Sequence, residues 1–161
     1  EGGAVVSNDL DYLETVKDMK SMSFGKDHNY MHNKIGFNYR MSNSQASLIL
    51  KSLSEVDKNI TIRRKNQEIY DSLVPSRAIM PTRDVPWVYD VYVDDNSIVD
   101  ELKSQGVAAR YGFKPVSTCE PFRSYNNTEV SNTYSKHIMY LPVMCSEEDA
   151  VSNMAKLRSL M

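Results

Sequence analysis

The spacing of apolar residues near the start of the chain predicts an amphipathic helix. Ser7-Asn8-Asp9 supplies side-chain oxygens that can cap its first turn, and the helix is expected to end at about Met22. A short apolar strand is predicted before it, at Val5-Val6, and a loop after it, over residues 23–37, where the apolar pattern has no period. The positions that define the helix recur about one turn apart: Leu10, Leu13, Val16 and Met19.

A second helical pattern extends over residues 42–74 without any Gly, and Pro75 ends it. Ser42 and Gln45 match an S-x-x-Q capping box, in which each residue satisfies a backbone donor of the other. We therefore predict one helix of about 30 residues, or ~45 Å at 1.5 Å per residue. So long a helix in so small a chain indicates either a link between two bodies or a partner surface. Its apolar face is formed by Ala46, Ile49, Leu50, Leu53, Val56, Ile60, Ile69 and Leu73.

Residues 75–161 predict a small α+β domain, which places the chain in the α/β fold class. Alternating aromatic and β-branched residues favour strands, while capping residues and Gly106 favour helix boundaries. The predicted order is β-β-α-β-α-α. Its elements are strands at 78–80 and 87–93, a helix at 96–105, a strand at 107–113, a short helix at 134–140 and a last helix capped by Ser146. Residues 114–132 are predicted as a loop.

Composition and charge narrow the classes of partner. The net charge is -2 and no long basic run occurs, so neither a nucleic acid nor a membrane surface is expected as a partner. No apolar run approaches the ~20 residues that span a bilayer. Cys119 and Cys145 have no CxxC spacing, which is typical of a reduced, cytoplasmic protein. The basic cluster Arg63-Arg64-Lys65 is interpreted as a solvated helix face.

Candidate chemistry concentrates in one short segment. No nucleophile elbow, Walker loop or GxGxxG is present, and His28 and His32 lie in a predicted loop, so no metal site is expected. Residues 36–42, in contrast, place the Asn38 amide and the Arg40 guanidinium just before a capped helix. This combination suits an anion, because Arg offers a charged fork and a helix N-terminus adds positive potential. The alternative is that both side chains merely hold a turn, and physical reasoning alone leaves the two readings open.

The same segment resembles a family signature. Residues 36–46, GFNYRMSNSQA, are similar to the G-x-N-Y-R-M-x-x-x-Q-A motif of the DegT/DnrJ/EryC1/StrS family, and further stretches agree in order. These are the E-G-G-A start, the helix with Asp57, Arg63 and Arg64, the stretch from Gly106 through Arg110 to Pro115, and Leu141-Pro142. The resemblance covers essentially the whole chain. Within the family, the F-x-P stretch at Phe113 resembles perosamine-synthetase-like members.

The resemblance implies the C-terminal part of an aspartate-aminotransferase fold (fold type I) that uses pyridoxal phosphate. Residues 1–41 would be a remnant of the large cofactor domain, 42–74 the linking helix and 75–161 the small domain. Family members are homodimers with shared active sites, so Asn38 is expected to reach the cofactor phosphate of the neighbouring subunit. Arg40, Phe113 and Lys114 are expected to contact the substrate, a nucleotide-linked keto sugar of polysaccharide biosynthesis. Glutamate would be the amino donor in the full-length parent.

The resemblance also places the Schiff-base lysine before the first residue. None of the chain's own lysines matches it, so we expect no catalytic residue here and no catalysis by this chain alone. The residues leave open two alternatives to an aminotransferase: a pyridoxal-phosphate-dependent sugar dehydratase, and a non-catalytic binding or assembly module. Val116-Ser117 stands where many relatives have a histidine, so the sugar nucleotide is not specified. If the chain folds alone, the apolar face of its first helix is expected to be covered by self-association.

Overall fold

The computed structural model describes residues 2–25, 30–32, 34–81, 84–122 and 128–161, apart from the side chain of Arg77. The chain divides into two compact units, Glu1–Val56 and Asp57–Met161. The first unit contains two helices joined by irregular backbone, and the second combines helices with a three-stranded sheet. None of the helices within the described residues is long and apolar enough to cross a membrane.

The first helix, α1 (Leu10–Lys20), confirms the predicted helix and its cap, since the Asp9 carboxylate accepts from the Tyr12 backbone at 3.0 Å. It ends earlier than predicted because the Ser21 N–H bonds the Asp18 carbonyl instead of continuing the helix. The predicted strand at Val5-Val6 is wrong. Residues 2–9 form no strand, and Val6 is 90% exposed, since no second strand within the described residues pairs with them.

The predicted long helix is present but interrupted at one residue. It consists of α2 (Asn43–Ser54) and α3 (Val56–Leu73), separated by Glu55. The Ser54 hydroxyl donates to the Lys51 carbonyl at 2.7 Å, the acceptor that the Glu55 N–H would use in a continuous helix. The Glu55 N–H instead bonds the Ser52 and Leu53 carbonyls. Such serine back-bonding competes with the helical ladder, and it accounts for the interruption.

In the second unit, the sheet comprises β1 (Tyr89–Tyr92), β2 (Arg110–Tyr111) and β3 (Ile138–Leu141) in the order β1-β3-β2, with both pairs antiparallel. Three helices follow the strands in turn: α4 (Ile98–Ser104), α5 (Glu129–His137) and α6 (Glu147–Leu160). Ser146 caps α6 as predicted, accepting from the Asp149 backbone at 3.1 Å. The helix at 96–105 also forms, and Gly106 follows it with a φ of +82°.

The hydrophobic core lies on one face of this sheet. Residues that are paired across the strands and share that face are fully or almost fully buried, for example Val91 opposite Met139. They join one cluster with side chains of α3, α4 and α6, including Tyr70, Leu102 and Leu157. Complete burial of each such side chain is worth about 1.5–3 kcal/mol relative to exposure. All sixteen members of this cluster belong to the second unit: Tyr70, Val74, Ala78, Tyr89, Val91, Val93, Val99, Leu102, Val107, Ala109, Met139, Leu141, Val143, Ala150, Met154 and Leu157.

The predicted order of elements is wrong at the centre of the sheet. The helix predicted at 134–140 begins earlier, at Glu129, and ends at His137, where the chain turns directly into the central strand β3. The predicted strand at 78–80 is reduced to a 3₁₀ turn (Ser76–Ala78) and a single bridge from Ile79 to Val91. The observed order is therefore β-α-β-α-β-α. Pairing on both sides stabilises β3, and this tertiary pairing overrides the local helical pattern.

Candidate functional site

The segment at residues 36–42 is fastened to the C-terminal end of α1. The Phe37 N–H donates to the Met19 carbonyl at 2.7 Å, and the Tyr39 N–H donates to the Lys20 carbonyl at 2.9 Å. Asn38 forms a bridge with Ser21 between these bonds. The backbone on both sides of Asn38 is thus fixed by hydrogen bonds, which defines the direction in which its side chain leaves the segment.

Gly36 allows this attachment because its backbone lies close to the turn after α1. A Cβ at this position would contact the Met22 carbonyl carbon and lie 2.5 Å from the Ser23 nitrogen. Backbone atoms cannot move aside as the end of a flexible side chain can, so only glycine fits. Met22 and Ser23 themselves adopt positive φ values of 69° and 54°, which most residues avoid. The first residue of the motif is therefore required by packing.

Asn38 and Arg40 lie together and are both exposed. The Arg40 Nε donates to the Asn38 Oδ1 at 3.3 Å, so the amide keeps its Nδ2 as a donor for another partner. The structure gives this Nδ2 no hydrogen bond to another described residue. Between them in sequence, Tyr39 stacks on Phe37 with ring centroids 5.0 Å apart. The pair can offer one neutral and several charged donors to an anion.

The capping box at the start of α2 completes the segment. The Ser42 hydroxyl accepts from the Gln45 backbone at 3.3 Å, and the Gln45 side chain accepts from the Ser42 N–H at 3.0 Å. This confirms the predicted box. Because the box already satisfies two backbone groups, the donors available to an anion here are mainly the side chains of Asn38 and Arg40.

Phe113 and Lys114, the other predicted substrate contacts, lie side by side in the second unit, directly after β2. Phe113 is 71% exposed. Its N–H donates to the Tyr140 hydroxyl at 3.4 Å. The Lys114 Nζ lies 5.6 Å from the centroid of the Tyr111 ring, a cation–π arrangement. The two predicted contacts thus share one edge of the sheet.

The Tyr111 hydroxyl forms a short bond with an exposed carboxylate, donating to the Asp100 Oδ2 at 2.7 Å. This bond lowers the pKa of Asp100 below its ordinary value and raises the pKa of Tyr111 above its own. Lys103 lies nearby, with its Nζ 3.5 Å from the Asp100 Oδ1 and 5.0 Å from the Tyr111 ring centroid. Asp100 is therefore a carboxylate held in its charged form, and it neutralises part of the positive charge near Tyr111.

The basic cluster on α3 is exposed at Arg64 and Lys65, as the interpretation of a solvated helix face expects, whereas Arg63 is half-buried. The Arg63 Nη1 donates to the Pro86 and Trp87 carbonyls at 2.9 and 2.8 Å, and the Arg64 Nε donates to the Asp84 carbonyl at 2.8 Å. Both arginines bind the segment that enters β1. Sequence spacing could not show these bonds, because their acceptors lie about twenty residues further along the chain.

Metal ligands and titratable side chains are the other candidate chemistry among the described residues. The structure contains no group of three or more His, Cys, Asp or Glu side chains there that could hold a metal ion. His32 contacts the Met22 carbonyl with its Nδ1 at 2.8 Å, while His28 lies outside the described residues. Burial raises the pKa of both Tyr70 and Tyr89, so each keeps its phenolic proton and serves the core.

The model of the DegT/DnrJ/EryC1/StrS aminotransferase family matches residues 1–156. The chain belongs to this family. Among its relatives, the GDP-perosamine synthase of Vibrio cholerae is 26% identical over 157 residues, which cover 88% of this chain and 43% of that protein. The GDP-perosamine synthase of Caulobacter vibrioides is 24% identical over 136 residues, covering 76% of this chain and 37% of that protein. The chain therefore spans less than half the length of these relatives.

The fold of the chain is also similar to that of a solved structure. The crystal structure of DesI in the presence of its TDP-sugar product superposes with a TM-score of 0.80 at 19% identity, covering 96% of this chain and 44% of DesI. This similarity confirms the predicted fold class, helices with a small antiparallel sheet in an α/β protein. The motif resemblance on which the DegT/DnrJ/EryC1/StrS prediction depended is likewise confirmed.

Proposed function

We propose that this chain forms the C-terminal part of a pyridoxal-phosphate-dependent aminotransferase. Its substrate is a nucleotide-linked keto sugar, and glutamate is the amino donor. The observation that carries the proposal is the exposed Asn38–Arg40 pair, fixed by the backbone bonds of its segment. The family match and the GDP-perosamine synthases among the relatives support the class of reaction and substrate. The activity belongs to a complete enzyme, since the chain corresponds to less than half of such a relative.

Asn38 fits the phosphate of the cofactor. When bound, pyridoxal phosphate supplies the electron sink that lets an amino group move between carbon skeletons. Asn38 contributes only binding: its Oδ1 is occupied by Arg40, so its Nδ2 is oriented as a donor for a phosphate oxygen. Since its backbone is also held, little freedom is lost when that bond forms.

Arg40, Phe113 and Lys114 are proposed to bind the sugar nucleotide. The terminal nitrogens of Arg40 make no hydrogen bond with the described residues, and a guanidinium fork suits a phosphate. Lys114 supplies a point charge, and Phe113 supplies an exposed ring. No residue of this chain is proposed to be catalytic.

We further propose a homodimer in the cytoplasm. Large apolar side chains are exposed throughout the first unit, for example Leu10 at 75% and Leu48 at 68%, whereas its only buried described residue is Ser23. Exposed apolar surface of this extent is typical of an interface. Both cysteines are free, as expected for a reducing compartment.

The proposal is tested on the longer protein that contains this chain. Transfer of nitrogen from ¹⁵N-glutamate to a GDP-linked keto sugar should be detected by mass spectrometry. Asn38→Ala should weaken cofactor binding by about tenfold or more, because it removes one hydrogen bond to a charged group. Asn132→Ala is the matched control, because the exposed Asn132 amide on α5 bonds only Thr128 among the described residues. Dehydration of the sugar without nitrogen transfer would contradict the proposal, as would equal cofactor affinities of the two variants.

The isolated 161-residue chain provides a second test. We expect pyridoxal phosphate followed by borohydride to leave no stoichiometric adduct on any single lysine, as judged by peptide mass spectrometry. A stable adduct on one defined lysine would mean that the chain holds the cofactor covalently on its own, and the division of roles proposed above would be incorrect.

A further inference from the structure

Two exposed aromatic rings lie against each other beside the sheet. The Trp87 and Phe113 rings have centroids 6.1 Å apart and planes 18° from parallel. Trp87 is 58% exposed and Phe113 is 71% exposed. We call this the Trp87–Phe113 surface. Sequence reasoning assigned Trp87 only to a strand, although it is the one tryptophan of the chain and follows a proline.

Backbone contacts hold both rings in place. The Arg63 Nη1 bonds the carbonyls of Pro86 and Trp87, which fixes the segment that carries the indole. The Tyr140 ring packs edge-on against Phe113 at 5.8 Å, and its hydroxyl accepts from the Phe113 N–H. Gly112 lies so close to the central strand that a Cβ there would be 2.8 Å from the Ile138 carbonyl oxygen. The rings are therefore presented by a preorganised frame and do not depend on a ligand for their positions.

Two cationic residues contact or belong to the segments that carry the rings, and the Nζ of one of them, Lys114, lies over the Tyr111 ring. Arg63 places its guanidinium against the Trp87 carbonyl, and Lys114 follows Phe113 directly in sequence. A flat π-surface flanked by cations matches a ligand with a planar ring and an attached anion. Exposed aromatic rings can stack on a nucleobase of any type, because every base has a π-face.

We propose that the Trp87–Phe113 surface stacks the nucleobase of a nucleoside diphosphate, with Lys114 beside it for the phosphates. The ligand class rests on the proposed function, whereas the assignment of Trp87 goes beyond it. A nucleobase presents a flat π-face that can continue the stack of two nearly parallel rings, whereas a sugar would contact them only through its C–H groups. The surface also favours a small anion over a second protein, since the cations would oppose the burial of a purely apolar contact.

The single tryptophan makes the test direct. GDP is titrated into the full chain while Trp87 emission is recorded, and quenching should follow a saturable binding curve that guanosine also produces and free mannose does not. Phe113→Leu should weaken the binding of GDP and of guanosine by the same factor, about fivefold or more, because one stacked ring is lost. Phe113→Tyr, which keeps a ring, should retain wild-type affinity. Lys114→Gln should weaken the binding of GDP and leave the affinity for guanosine unchanged.

Tyr134→Leu is the control, because Tyr134 is a half-exposed ring elsewhere on the unit that contacts Tyr92. It should leave the binding curves unaltered, and circular dichroism should show that every variant is folded. Binding of GDP without quenching, or equal affinities for Phe113→Leu and Phe113→Tyr, would overturn the stacking proposal while leaving the proposed function standing. Quenching that depends on protein concentration and not on GDP would identify a protein contact and also overturn it. Stacking without nitrogen transfer by the longer enzyme would instead refute the proposed function alone.

Discussion

Asn66 offers a sharp test of how α3 is attached to the rest of the second unit. Its side chain is fully buried, and its Nδ2 donates to the Val143 carbonyl at 3.0 Å and the Cys145 carbonyl at 2.9 Å. These acceptors lie in the turn that leads into α6, almost eighty residues away in sequence. The Asn66→Ala substitution would leave both carbonyls without this donor.

The expected cost follows from the burial of each acceptor. An unsatisfied buried acceptor costs about 1–3 kcal/mol, and the Cys145 bond is only partly buried, so we expect a loss of about 2–4 kcal/mol of unfolding free energy. In a unit of this size, that corresponds to roughly 10–20 °C in Tm. The loss would be a large share of the 5–15 kcal/mol that is typical of whole domains.

Urea unfolding followed by Trp87 emission measures this loss, because the only tryptophan reports on the second unit. The midpoint should fall while the m-value stays unchanged. Asn132→Ala removes an exposed amide and should change the free energy of unfolding by less than about 0.5 kcal/mol. If the two alanine variants unfold at the same urea concentration, the hydrogen bonds of Asn66 do not anchor the turn and the reasoning is refuted.

Three further predictions concern other parts of the molecule. Gly36→Ala should destabilise the turn after α1 by about 1–3 kcal/mol and expose the Phe37 amide to hydrogen exchange. Gly3→Ala is the control, because a Cβ at Gly3 would meet open space and should leave this exchange unchanged. Equal exchange rates of the Phe37 amide in the two variants would contradict the packing at Gly36. The bond from Tyr111 lowers the pKa of Asp100 in the folded chain. The stability that this bond contributes is therefore present above the pKa of Asp100 in the unfolded chain, and it is lost as the pH falls through the lower pKa of the folded chain. Tyr111→Phe should raise the carboxyl pKa in an NMR titration, and an unchanged titration would refute this. Light scattering should show self-association of the chain, and a strict monomer at high concentration would count against it.

The helices were predictable where capping residues and apolar spacing agree, as at Asp9, Ser42 and Ser146. The central strand was not, because Ile138 follows a helix without any Gly or Pro to mark the change. Its strand conformation depends on partners that are distant in sequence, namely β1 and β2. Local propensity contains no information about such pairing.

Only part of the candidate site could be predicted from the sequence. The segment with Asn38 and Arg40 was found because its whole motif is contiguous in sequence. Trp87 was missed, because its proximity to Phe113 arises only when β1 and β2 join the same sheet. The interruption at Glu55 was missed as well, since it depends on where the Ser54 hydroxyl donates and not on any breaker residue.

The confinement of the core to the second unit has a consequence for mutational scanning. The buried cluster, from Tyr70 to Leu157, determines whether the protein accumulates in a cell, because destabilised chains are removed by quality control. Asn38 and Arg40 are exposed and contribute nothing to that cluster. A library sorted by abundance would therefore score these positions as tolerant, and only a library sorted by activity would register them. Comparing the two maps would separate the residues that build this protein from those that serve its ligands.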